Sequence, residues 1–103
     1  MIEILTVLAS MYWEDSHVAT GAKYDKYGIT AASRTLPLGT CINVEYKGRT
    51  TKVLINDRGP CFSKYCQSTR PDLLKRKLDL SLGTAQKLQF TGLDHVTYYK
   101  TEC

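Results

Sequence analysis

Three short stretches recur in the same order along this 103-residue chain. "TVL" (6–8) returns as "KVL" (52–54), "LPLGT" (36–40) as "LSLGT" (80–84), and "NVEY" (43–46), more loosely, as "HVTY" (95–98), at offsets of 46, 44 and 52. Two ordered copies of strand-like segments, in a chain long enough for one small core, fit two interleaved halves of a single β-barrel. In such a barrel, polar residues just past a strand end lie on an open rim, where a groove can form.

The local patterning agrees. Segments 3–12, 40–46, 50–56 and 95–101 are rich in Val, Ile, Thr and Tyr and read as strands. "YKGRT" (46–50) reads as the hairpin turn between the second and third of these. "TRPDLLKRK" (69–77) holds one helical turn with Pro71 near its start, and "SLGTAQKL" (81–88) a short helix that Ser81 can cap. The opening "MIEILTVLAS" has Glu3 where a leader would be basic, and its apolar run is short, so it reads as the first strand. No segment approaches the length of a membrane span.

Charge and cysteines bound the setting. The formal net charge of +4 is mild and dispersed, apart from a cluster at Lys75, Arg76 and Lys77. That is too little to argue for nucleic acid, but it suits an acidic polymer such as a bacterial wall with its carboxylates and phosphates. The even count of four cysteines, Cys41, Cys61, Cys66 and Cys103, favours disulfides and an oxidising compartment. There is no CxxC pair, and His17 and His95 show no ligand spacing with the cysteines, so neither a metal nor another cofactor is expected. With no visible export signal, such a chain reaches the periplasm, the cell wall or a virion either after loss of a leader or by another route.

"LINDRGP" (54–60) runs a hydrophobic strand straight into an amide, a carboxylate and a guanidinium, then a turn. Asp57 either caps that turn or faces a ligand. Read locally, Asp25 is an Asx-turn residue and Asp79 a helix-start residue.

"ASMYW" (9–13), "ATGAKYD" (19–25), "TAASRTLPLGT" (30–40), "INDRGP" (55–60) and "LDLS" (78–81) resemble, in order and spacing, the double-psi β-barrel domain of the rare lipoprotein A (RlpA) family. The resemblance covers nearly the whole chain, 1–103, and implies a single all-β domain, a six-stranded barrel related to expansins, barwin-like proteins and family 45 glycoside hydrolases. RlpA proteins are lytic transglycosylases of peptidoglycan, which makes a wall glycan the implied partner, alongside a wall-associated or virion protein. Asp57, Asp25 and Asp79 match acidic positions of the family or its relatives, with Asp57 the implied acid. Tyr12, Trp13, Glu14 and Arg58 are the implied substrate contacts. Glu14 together with Asp79 is a second carboxylate pair, after the Tyr-Trp-Asp of the family 45 enzymes; Glu14 otherwise reads as a solvated loop acid, and His17 as an ordinary exposed histidine. Thr20, Gly21 and Ala22 stand where the family has Asn-Gly-Glu, Ser33 stands where it has His, and an insert at 61–77 carries two cysteines.

A lytic transglycosylase protonates the glycosidic oxygen, then takes a proton from the sugar's own 6-hydroxyl as it closes onto the anomeric carbon, so one carboxyl group can act as acid and then base. A hydrolase of the usual kind needs two carboxyl groups at a set separation. The loss at Ala22 therefore harms the lytic mechanism less than hydrolysis, while favouring a non-catalytic, expansin-like binding module as the alternative; a structural barrel of a phage tail is a third. Four cysteines allow three pairings. The short loop between Cys61 and Cys66, and a tie from the strand near Cys41 to the chain end, favour Cys61–Cys66 and Cys41–Cys103, with a terminal cysteine also present in barwin-like relatives.

Overall fold

The computed structural model describes residues 2–12, 25, 27–59 and 61–103. The elements run β1 (Leu5–Tyr12), β2 (Thr30–Ala32), β3 (Cys41–Tyr46), β4 (Arg49–Asp57), α1 (Lys64–Thr69), a 3-10 turn (Pro71–Lys75), β5 (Arg76–Ser81), α2 (Leu82–Leu88) and β6 (Asp94–Thr101). The six strands close a barrel in the order β1-β5-β2-β4-β3-β6. Closure leaves no unpaired edge to template aggregation.

The pairing carries the two-fold relation that the repeat implied. β1 runs parallel to β5, and β4 parallel to β2. β1 pairs antiparallel with β6, as β4 does with β3. Exchanging β1 with β4, β2 with β5 and β3 with β6 leaves this pattern unchanged. The repeats contribute to the core: Val53, Val44, Val96, Tyr46 and Tyr98 are buried with Ile42, Ile55, Leu78 and Leu80, while Leu38 and Leu54 face outward.

Local chemistry sets the connections. β3 and β4 meet in a two-residue turn whose Lys47 and Gly48 both have positive φ, 49° and 84°, the handedness a tight hairpin requires. Ser81 caps α2: its Oγ accepts from Thr84 N at 3.1 Å and donates to the Gly28 carbonyl at 2.7 Å. One hydroxyl thus joins the end of β5, the start of α2 and the loop before β2. Cys41 is bonded to Cys103 and Cys61 to Cys66, with Cα–Cα separations of 5.3 and 5.0 Å, so the pairing is the one favoured from sequence.

Four strands stand close to their expected bounds, but β2 and β5 were not singled out from composition. β2 has three residues and draws its stability from its two neighbours. β5 begins at Arg76 inside the Lys75–Lys77 charge cluster, at the end of the stretch expected to hold one helical turn. The insert also holds α1, capped by Ser63, ahead of the expected turn at Pro71.

Candidate active site

Two aspartates face one another across a short strand. Ala32 closes β2 and stands opposite Asp57 of β4 on one side and Asp79 of β5 on the other. Asp79 in turn stands opposite Ser10 of β1. The row Ser10–Asp79–Ala32–Asp57 therefore crosses four adjacent strands, and the two aspartate Cα atoms lie about two strand spacings, or roughly 9–10 Å, apart.

A bulge makes this row. Ala31 pairs with Ile55, but Ala32 pairs with Asp57, so Asn56 is the extra residue on β4. In an unbroken ladder, Asn56 would stand opposite Ala32 and Asp57 would turn to the other face. The bulge re-aims Asp57 onto the face of Asp79. Asn56 pays for this locally: its Oδ1 is buried with no hydrogen-bond partner among the described residues.

The chain after Asp57 folds back over β2. Asp57 Oδ1 accepts from the Arg58 N–H at 2.8 Å, and Ser33 N donates to the Asp57 carbonyl at 2.9 Å. Gly59 has φ 77°, and a Cβ there would stand 3.1 Å from Ala32 Cβ. Only glycine meets both demands without strain. Arg58 Nη1 donates to the Arg34 carbonyl at 3.3 Å, and Arg34 donates to the carbonyls of Leu74 and Arg76 at 2.7 and 3.1 Å. These bonds tie the 33–36 loop to the end of the insert.

Burial pushes the Asp79 carboxyl up to about 6. The Ser10 hydroxyl, donating to Asp79 Oδ1 at 2.9 Å, and the Arg76 charge both oppose the rise, while the negative charge of Asp57 adds to it. Asp57 is the acid implied from sequence, and half-buried Asp79 stands on the same row with its carboxyl raised by burial. A carboxyl of this kind holds a proton in mildly acidic solution and, on giving it up, is left as a carboxylate to which the Ser10 hydroxyl donates.

The other sequence candidates are placed as follows. Tyr12 ends β1 opposite Ser81, two residues beyond Ser10 and so on its face. Asp25 forms an exposed Asx-turn, its Oδ1 accepting from Tyr27 N at 3.0 Å. Trp13, Glu14, His17 and Ala22 lie outside the described residues. Ser10 and Arg34 had been given no role; both stand in the stretches that carry the family resemblance, which was the available signal.

A closed six-stranded barrel with two parallel strand pairs and an acidic rim defines the double-psi β-barrel class. A family model described as lytic transglycolase matches residues 5–98, and the chain belongs to that family. It is similar to the endolytic peptidoglycan transglycosylase RlpA of Pseudomonas aeruginosa, 38% identical over 87 residues, covering 80% of this chain and 22% of the relative. The probable endolytic peptidoglycan transglycosylase RlpA of Nostoc is 40% identical over 76 residues, covering 72% of this chain and 18% of the relative. The chain thus spans about a fifth of the length of these curated relatives. Among solved structures, the Streptomyces papain inhibitor superposes with a TM-score of 0.68 at 20% identity, covering 97% of this chain and 96% of that one, a likeness of fold alone.

Proposed function

We propose that this domain cleaves peptidoglycan glycan strands as a lytic transglycosylase, in an extracytoplasmic setting. The observation that carries the reading is the Asp79–Ala32–Asp57 row on the rim of a barrel of this family, with burial raising Asp79. Protonated Asp79 donates to the glycosidic oxygen. The resulting carboxylate, held by the Ser10 hydroxyl, then removes the proton from the sugar 6-hydroxyl as the ring closes. Asp57 helps keep Asp79 protonated before the reaction and stabilises positive charge at the anomeric carbon during it. Arg58 and Tyr12 line the same region as substrate contacts. Asp25 is a further acidic contact on the turn leading into β2.

The test is release of soluble fragments from purified sacculi. The wild type releases them, and Asp79→Asn, which keeps the shape and loses the transferable proton, falls by at least about 100-fold. Ala22 stands where the resembled family has a functional Glu, which favours a second reading, a non-catalytic glycan-binding module. Binding to sacculi with no fragment released by the wild type, and release gained by Ala22→Glu, would establish that alternative.

A further inference from the structure

The insert at 61–77 is longer than the connection in the resembled pattern, and it holds the net charge of the molecule. It has five of the fourteen Lys and Arg residues and one of the ten Asp and Glu. The whole formal excess of +4 therefore falls in these 17 positions, and the rest of the chain is balanced. Arg70 and Asp72 neutralise each other through a salt bridge at 3.1 Å. Lys64, Lys75 and Lys77 are exposed and have no carboxylate within 4.0 Å among the described residues. Phe62 and Tyr65, close in sequence on this one segment, are 54% and 79% exposed and present their rings to solvent.

Topology puts this segment beside the acid pair. β2 is parallel to β4 and antiparallel to β5, so the end of β4 and the start of β5 lie at one end of the barrel. The insert leaves that end just after Asp57 and returns to it three residues before Asp79. The Cys61–Cys66 bond, the Ser63 cap and the Arg34 bonds to Leu74 and Arg76 hold it in one shape.

We infer that the insert is a substrate-recognition arm that selects a glycan strand bearing repeated free carboxylates, such as the lactyl groups of muramic acid that carry no stem peptide, over a neutral strand. Lys64, Lys75 and Lys77 supply the charge, and Phe62 and Tyr65 supply flat faces for sugar rings lying beyond the cleavage point. This rests on the glycan-cleaving reading of the rim.

The test measures binding of the intact, disulfide-bonded chain to three probes: purified glycan strands freed of stem peptides and of teichoic polymer, chitin oligomers, and phosphate-rich teichoic polymer. The wild type binds the glycan strands at least roughly tenfold more tightly than chitin, and this margin shrinks as salt rises. K64A/K75A/K77A removes the margin, and F62A/Y65A weakens binding to both glycans by roughly tenfold. Thermal melting at the wild-type temperature shows that each variant is folded. Equal wild-type affinity for glycan strands and chitin, unchanged binding by the triple-lysine variant, or preference for the teichoic polymer overturns the arm while fragment release from sacculi stands. A wild type that neither binds sacculi nor releases fragments overturns the reading of the rim, and the arm with it.

Discussion

Asp79 sets function against stability within one side chain. Its carboxyl is raised from 3.8 to about 6, chiefly by burial. Between those values the folded state binds more protons than the unfolded state, so stability falls as pH rises through that window. Above it, the ionised buried carboxylate costs on the order of 2–3 kcal/mol. Asp79→Asn removes this titration. Denaturant unfolding as a function of pH is then flat across the window, and the variant is more stable than the wild type at neutral pH. A wild type whose stability rises from pH 4 to 6 would show instead that Asp79 is held as a carboxylate. Asp57→Asn acts differently. It removes the neighbouring carboxylate charge while keeping the shape, and cleavage is lost with folding intact. An unfolded Asp57→Asn variant would mark Asp57 as a turn residue.

At the scale of elements, the end of β4 depends on a glycine that is both twisted and crowded. Gly59 has φ 77° and approaches Ala32, whereas Gly39 has φ 92° with nothing within 4 Å. Both Gly→Ala changes incur backbone strain of about 1–3 kcal/mol, but only Gly59→Ala adds a collision with β2. Its loss of stability therefore exceeds that of Gly39→Ala in thermal melts; equal losses would mean that the crossing over Ala32 is loose. These elements also show what a sequence reveals. β1, β3, β4 and β6 declare themselves by β-branched and aromatic runs, because each has one face in the core. Ser81 declares α2 because a capping hydroxyl is a local signal. β2 and β5 are specified by their neighbours, and the bulge at Asn56 by the pairing of two distant segments, so neither leaves a local trace. Asp57 stood out locally in the LINDRGP run and Asp79 only as part of a family stretch; that they share a row with Ser10 and Ala32 required the ladder.

The whole molecule is a small closed barrel held by two covalent ties of unequal reach. Cys41–Cys103 spans 62 positions and fastens the start of β3 to the segment after β6, while Cys61–Cys66 spans 5 within the insert. Loop-closure entropy assigns about 4 kcal/mol to the first and about 2 to the second. Non-reducing denaturation should therefore rank C41S/C103S well below C61S/C66S in stability, with the latter leaving the barrel folded. The reverse order would mean that the insert carries the fold and is no appendage to it.

At this scale the central claim concerns the bond cleaved and the atom that attacks it. In the proposed function the rim supplies a proton donor with a nearby second carboxylate, and the lytic reaction takes its nucleophile from the sugar itself. Mass spectrometry of fragments released from purified sacculi distinguishes this from water attack. Glycans ending in 1,6-anhydro-muramic acid are the predicted product; fragments carrying only reducing ends would contradict the account and assign the chemistry to hydrolysis.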